Sequence, residues 1–266
     1  MITTRSQRWR ERRQYFRPAG ELIDPRDYET AAIEGDGADT IARRFIETHH
    51  YEHSYVAARR RFGFYHKSGE LVGVAVFAHP ARDCVLTNVF PGEAIESLLL
   101  GRLVLLDSVK GNGETRFLSQ AFKMLRRDGF IGVRSFSDPF PRTDEEGRTI
   151  FKGHIGGIYQ AFSAIYLGRA RKDTMRLLPD GQVLHGRALA KIKKRDRGYL
   201  GHVETLERFG AAPLRPEDDA EAWAEHWAAR LTRKLRHPGN HDYAWGLTAQ
   251  VRRHLPESKP YPKLAA

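Results

Sequence analysis

Residues 100–138 read LGRLVLLDSVKGNGETRFLSQAFKMLRRDGFIGVRSFSD, and the pattern changes three times along them. Arg102–Val109 is apolar and rich in Leu and Val, which predicts a buried strand. Lys110-Gly111-Asn112-Gly113 is a turn cluster. Glu114–Arg127 then places Phe117, Leu118, Ala121, Phe122 and Leu125 at helical spacing. Asp128-Gly129 ends that helix, and Ile131–Phe136 reads as the next strand. A glycine-containing turn between a strand and a helix presents backbone N–H groups at the helix N-terminus, where they and the helix dipole attract anions. Lys110, Gly111, Asn112, Gly113 and Thr115 therefore form a candidate pyrophosphate cradle for a nucleotide-like cofactor. The same residues also suit an ordinary strand-to-helix turn, in which glycine supplies a positive φ. The dinucleotide fingerprint G-x-G-x-x-G is absent because Arg116 takes the place of its third glycine, and no Gly-Lys-Ser/Thr follows to make a P-loop.

Outward from this segment, composition narrows the class. The 266 residues are 41% hydrophobic, enough for one large domain or for a domain with a sizeable extension. No apolar run approaches the roughly 18 residues of a membrane span, and the Arg-rich N-terminus lacks the apolar core of a secretory signal. The one cysteine, Cys84, excludes an internal disulfide and any cysteine-based zinc site, fits a reducing cytoplasm, and is expected to be a small buried apolar residue. Lys and Arg outnumber Asp and Glu by 44 to 33, and a net charge of +11 favours a polyanionic partner, nucleic acid or an anionic membrane, while a solvated surface of mixed sign is the plainer alternative.

Residues 1–18 interleave Arg5, Arg8, Arg10, Arg12, Arg13 and Arg17 with Trp9, Tyr15 and Phe16, a composition that suits phosphate contacts and base stacking and equally suits a basic tail. Residues 24–37 read as irregular. Ala38–Thr48 is an amphipathic helix that runs into His49-His50-Tyr51-Glu52-His53. His49 and His53 would share a face if the helix continued, and paired imidazoles beside a carboxylate can hold a transition metal or act as bases; a solvated helix end is the plainer alternative. Arg59–His66 and Glu70–Ala78 form a hairpin. The strand Ile131–Phe136 ends in Ser137-Asp138-Pro139, and an Asp there sits where α/β ligand sites lie, or simply starts a turn before proline. A polar loop over 140–153, a short helix opening at His154 and a strand Ile165–Arg169 follow. Arg169–Arg197 is the most basic internal run, with Val183–Ile192 reading as a strand. Helical spacing returns over Gly198–Gly210 and Pro216–Arg236, where Trp223 and Trp227 are expected in a core, and His241–Leu247 is a final strand.

The order helix, hairpin, strand, anion-binding turn, helix, strand, short helix, strand resembles the N-acetyltransferase (GNAT) fold, in which the turn after the fourth strand holds the pyrophosphate of acyl-CoA. Several segments are more specifically similar to the phage Mom DNA-modification proteins. They are Arg102-Leu103-Val104-Leu105, Asn112 to Leu118 (NGETRFL), Ser135-Phe136-Ser137-Asp138-Pro139, and His154 to Ala161 (HIGGIYQA), together with His50-Tyr51, HDYAW from His241, and Lys259-Pro260-Tyr261-Pro262-Lys263. The likeness spans roughly residues 40–263. It implies an α/β (α+β) GNAT-like architecture, a central mixed, twisted sheet flanked by helices, with a basic C-terminal extension. Along the chain this gives a basic arm over 1–37, a catalytic domain over 38–199 and an extension over 200–266.

The resemblance also implies a transferase that adds a carbamoylmethyl-type group to N6 of adenine in phage DNA and so shields the DNA from host restriction enzymes in the infected bacterial cytoplasm. Acyl-CoA (acetyl-CoA) and a bound iron ion are the cofactors it suggests. Carried over, Arg102 and Thr115 match positions tied to cofactor binding or activity. His50, Tyr51 and Asp138 match a proposed metal or active-site group, and Tyr159 a position tied to activity. Two features depart from the family pattern: the loop 140–153 is longer, which loosens the expected placement of Asp138 against Tyr159, and the Arg-rich N-terminal segment has no counterpart. Chemistry on an exocyclic amine needs a base flipped from the duplex or already single-stranded, with Tyr51, Tyr55 or Phe136 offering stacking faces. Two other readings stand beside this one: a GNAT acyltransferase acting on another amine, whether of a hypermodified base, a small molecule or a protein, and a DNA-binding protein without catalysis. Oligomeric state is left open.

Overall fold

The computed structural model describes residues 21–52 and 54–263. Most of the basic arm, and His53 of the histidine run, lie outside the described residues. The chain groups into two compact units that interleave along the sequence. The first takes residues up to 139, 154–170 and from 240 onward; the second takes 140–153 and 171–239.

The first unit is a seven-stranded sheet. Its strands are β1 (Tyr28–Ala32), β2 (Ala58–His66), β3 (Leu71–Ala78), β4 (Ser97–Leu105) and β5 (Gly132–Ser137), then His241–Gly246 and Ile165–Arg169, in that spatial order. Neighbours are antiparallel except β4 and β5, which run parallel. A parallel pair needs a crossover connection, and here the helix Gly113–Arg127 supplies it. The helix buries Phe117, Leu118, Ala121, Phe122 and Leu125 on one face. Phe117 stacks on Phe64 of β2 at 5.0 Å, and Phe122 meets Phe77 of β3 and Trp245 edge-on. Gly129, at φ +89°, closes the helix by donating its N–H to the Arg126 carbonyl, a left-handed C-terminal cap that favours glycine. The result is the mixed, helix-flanked sheet of the GNAT-like layout.

The β4–β5 ladder is short. Ser97, Leu98 and Leu99 face Gly132, Val133 and Arg134, and the register stops there, although β4 runs on to Leu105 and β5 to Ser137. Just past that point the Ser135 hydroxyl donates to the Leu100 carbonyl at 3.0 Å. The two strands then part, and a cleft opens in the middle of the sheet.

Several expectations are corrected. The strand expected over Arg102–Val109 starts earlier, at Ser97, where it pairs with β5, and ends at Leu105 because Leu106–Val109 form a turn. Residues 24–37 are not all irregular: Tyr28–Ala32 is an edge strand along β2, and its partial burial hides the strand pattern. Residues 183–192 are not one strand. Val183–Leu184 is a two-residue strand, and Gly186–Lys194 is a helix that buries Ala188 and Ile192, spaced one turn apart. The 140–153 loop carries a small ribbon, Arg142–Thr143 against Thr149–Phe151. Cys84 is exposed at the start of a one-turn helix.

The second unit has its own core. A three-stranded sheet (Val183–Leu184, Asp173–Leu177, Arg233–His237) accompanies helices Gly186–Lys194, Leu200–Glu207 and Ala220–Leu231. Ile192, Leu206, Ala224 and Trp223 meet in its interior, with Trp227 partly buried against them. No helix among the described residues is long and apolar enough to cross a membrane.

Candidate active site in the β4–β5 cleft

The cleft collects polar side chains from four separate pieces of chain. The first piece is the loop that leaves helix Ala38–His49. The helix stops at His49, whose ring lies on Phe45, so the continued helix on which a shared face for His49 and His53 depended does not form. His50 is buried; its Nδ1 accepts the Glu52 backbone N–H at 3.0 Å and so shapes the loop. The Tyr51 ring lies over His50 at 4.2 Å, and its hydroxyl is hydrogen-bonded to His154 Nε2 at 2.9 Å.

The second piece is the end of β5. The His154 N–H donates to the Asp138 carbonyl at 2.7 Å. The long loop between them thus returns to the point it left, and its length does not separate Asp138 from the helix that carries Tyr159. That helix, Gly157–Ala161, is the third piece. Gly156, just before it, lies so close to Tyr159, Tyr243 and Ser137 that an added Cβ would stand 2.8–3.1 Å from them. Glycine is required there both by this contact and by its φ of +74°. The fourth piece is Arg102 on β4, paired with Glu52 at 2.8 Å.

The electrostatics tie these residues together. Burial is the main reason the Tyr51 phenol is held well above its usual pKa; Tyr159, Glu52 and Asp138 push it the same way, and Arg102 opposes them. Burial also raises the Tyr159 phenol, while the Ser135 hydroxyl and Arg102 draw it back. Both phenols therefore keep their protons at neutral pH, and Tyr51 shares a hydrogen bond with His154. His50, Tyr51, Arg102, Asp138 and Tyr159 are thus brought to one region. Sequence reasoning did not single out His154, Glu52 or Ser135. For His154 the available signal was its place at the head of HIGG, beside a glycine turn; single polar residues in loops carry no periodicity.

Two of the three aromatics considered for base stacking are already engaged. Tyr55 donates to Asp39 at 2.7 Å beneath Arg43, and Phe136 lies under the Arg134 guanidinium at 5.0 Å. Among the described residues no three His, Cys, Asp or Glu side chains come together as metal donors. His50 Nδ1 and the Tyr51 hydroxyl are each bonded within the protein.

The turn after β4 has the form of an anion site. Asn112 adopts the left-handed conformation at φ 67°, and the first bond inside the helix runs from the Arg116 N–H to the Asn112 carbonyl. The Gly113 N–H is given back to the Lys110 carbonyl at 3.3 Å, which closes the turn in front of the helix. Thr115 Oγ1 donates to the Asn112 carbonyl at 3.1 Å. Gly113 is needed for packing, because a Cβ would stand 2.4 Å from Val109. The Gly111 N–H is already given to the Glu21 carbonyl at 2.8 Å, and its carbonyl accepts from Ile23 at 3.0 Å. Gly111 thus anchors the segment at 21–23, which leaves the helix start after Asn112 as the candidate anion position.

The sequence profile of the Mom protein family matches residues 36–263. No curated relative matches the chain. Among solved structures, the chain is similar to a GNAT family N-acetyltransferase (YhbS) from Escherichia coli in complex with CoA: 14% identity, 56% of this chain and 72% of that one, TM-score 0.35. It is also similar to an N-acetyltransferase from Staphylococcus aureus Mu50, with 9% identity over 83% of this chain and 99% of that one and a TM-score of 0.36. A third similarity is to a spermidine/spermine N-acetyltransferase from Vibrio cholerae in complex with manganese ions, with 10% identity over 86% and 98% and a TM-score of 0.36. These structural likenesses are distant, and the family match carries the assignment.

Proposed function

The chain belongs to the Mom protein family, and from that premise we propose that it is a transferase that places an acyl group on the N6 amine of adenine in phage DNA and thereby protects the DNA from restriction. The observation that carries this reading is the convergence of Tyr51, Arg102, Asp138, His154 and Tyr159 where β4 and β5 part.

The acyl carrier is acyl-CoA, which supplies an activated carbonyl and a thiolate leaving group. Lys110, Asn112, Gly113 and Thr115 would hold its pyrophosphate, with the lysine charge and the dipole of the helix start offsetting the phosphate charge. The adenine amine is a weak nucleophile because its lone pair is shared with the ring, and it must shed a proton as the new bond forms. Asp138 and the hydrogen-bonded Tyr51–His154 pair are the groups placed to take it. Tyr159, held protonated, donates a hydrogen bond to the oxygen that gains charge. The DNA presents a flipped or single-stranded adenine, and the net charge of +11 supplies phosphate contacts.

Mass spectrometry of nucleosides from plasmid DNA made in cells expressing the chain tests the reading. The expected result is a deoxyadenosine of added mass, reduced about a hundredfold or more by Asp138→Ala or Tyr159→Phe, the lower end of what acid–base and oxyanion groups contribute. DNA with no nucleoside of added mass would overturn the reading and leave acyl transfer to another amine, or DNA binding alone.

A further inference from the structure

Arg102 leaves β4 just beyond the last β4–β5 pair, yet its guanidinium turns away from the anion turn and onto the loop that carries Tyr51. Nε donates to the Ser54 carbonyl at 2.9 Å and one Nη to the Gly101 carbonyl at 2.7 Å. The other Nη donates to Ser54 Oγ at 2.8 Å and pairs with the Glu52 carboxylate at 2.8 Å. An arginine has five N–H donors; this loop and the adjoining strand carbonyl occupy three of them, and Glu52 pairs with the charge. The side chain is 13% exposed. The pyrophosphate turn begins beyond Leu105, roughly 10 Å further along the strand at about 3.3 Å per residue.

The residue before Arg102 makes the close approach possible. A Cβ on Gly101 would stand 3.0 Å from the Val56 side chain. A bare backbone at 101 lets the 54–56 segment lie against β4, and the next residue grips it. The same loop turns back on itself through the Glu52 N–H bond to His50, and the residue between them is Tyr51. A displaced loop therefore moves the phenol, and misplacement by about 1 Å can lower a rate by about a hundredfold.

We propose that Arg102 and Glu52 form a strut that sets the position of Tyr51, and that Arg102 is a positioning residue acting through this loop and not a ligand of the acyl carrier. The proposal rests on the transferase reading given above. Glu52, which the residue pattern offers only as a carboxylate beside the histidine run, becomes as necessary as Arg102.

Three measurements on Arg102→Ala, Glu52→Ala, the double variant and Arg102→Lys test it. They are modified deoxyadenosine in plasmid DNA, affinity for coenzyme A by calorimetry, and hydrogen exchange at the Tyr51, Glu52 and Ser54 amides. Each single alanine variant is expected to lower the product at least about tenfold, to leave CoA affinity within about twofold, and to speed exchange in the loop. The double variant is expected to be no worse than Arg102→Ala, because residues sharing one interaction are not additive. Arg102→Lys, which keeps the charge and loses the fork, restores part of the product. A tenfold loss of CoA affinity confined to Arg102→Ala, with product and loop exchange unchanged in Glu52→Ala, would overturn the strut. Should the wild-type chain leave DNA unmodified, the transferase reading falls, and loop exchange still decides the strut: faster in both alanine variants upholds it, unchanged overturns it.

Discussion

Asp242→Ala is expected to destabilise the first unit by about 3–5 kcal/mol, the range seen when one partner of a buried ion pair is removed. Asp242 is 6% exposed on strand His241–Gly246 and sits opposite Phe136 of β5. It holds Arg134, two residues before Phe136: Nε donates to Oδ1 at 2.8 Å, and an Nη makes a second, short contact to Oδ2. Arg134 also donates to the Val85 carbonyl and lies over the Phe136 ring. Without Asp242 the guanidinium keeps its burial and loses its counter-charge, and desolvation is no longer offset. Urea unfolding followed by circular dichroism checks this through the transition midpoint and slope. The paired change Arg134→Met with Asp242→Leu is expected to recover most of the loss, because the damage comes from an uncompensated charge and not from a missing attraction. A loss below about 1 kcal/mol in the single variant would mean that the pair behaves as a solvated one. The consequence reaches the site, since β5 delivers Asp138 four residues after Arg134.

The parts of this fold that were legible in the sequence are those whose side chains repeat. The Leu71–Ala78 strand is an unbroken apolar run, and the Gly113–Arg127 helix shows its whole buried face in five residues. Tyr28–Ala32 was missed because an edge strand is half-buried and mixes Glu29 and Thr30 with alanines. Val183–Ile192 was misread because two strand residues and the first turn of a helix happen to alternate; Ala188 and Ile192, four apart, are the helical signal. The interleaving of the two units had no local signature. It is set by the pairing of Ser137 with His241 and of Arg169 with the same residue, and such long-range register leaves no trace in a short window.

The site follows the same rule. Tyr51, Arg102, Asp138 and Tyr159 were singled out by their places in ordered motifs, and the fold brings them into one cleft. The bond between Tyr51 and His154 joins residues 103 apart in sequence. Glu52 and Ser54 matter through their contacts with Arg102, which residue type alone does not disclose. The anion turn was legible as a turn, but one of its glycines proves to serve packing and the other to anchor the chain entering at Glu21.

The second large effect concerns acid. His241 opens the strand that joins β5 to Ile165–Arg169; it is 2% exposed, and its Nδ1 is hydrogen-bonded to the Tyr166 hydroxyl at 2.7 Å. Burial, with a smaller push from Arg169, lowers its pKa from 6.5 to about 4. The sign follows from linkage. In the unfolded chain the imidazole takes up a proton as pH falls through 6.5, whereas the native ring stays neutral down to about 4. Between those values the unfolded state binds more protons, so stability falls as pH falls, and the loss is complete below about 4. A shift of this size corresponds to about 3 kcal/mol, at roughly 1.4 kcal/mol per pH unit. His241→Gln keeps an acceptor for the Tyr166 hydroxyl and removes the titration. Unfolding free energies from pH 7 down to pH 4 are expected to fall more steeply in the wild-type chain, the two curves converging by about 3 kcal/mol over that range. Parallel curves would place His241 in contact with water and remove burial as the cause. The strand that joins the sheet beside the candidate site thus depends on one ion pair at Asp242 and one neutral imidazole at His241, and acid weakens it through the imidazole first.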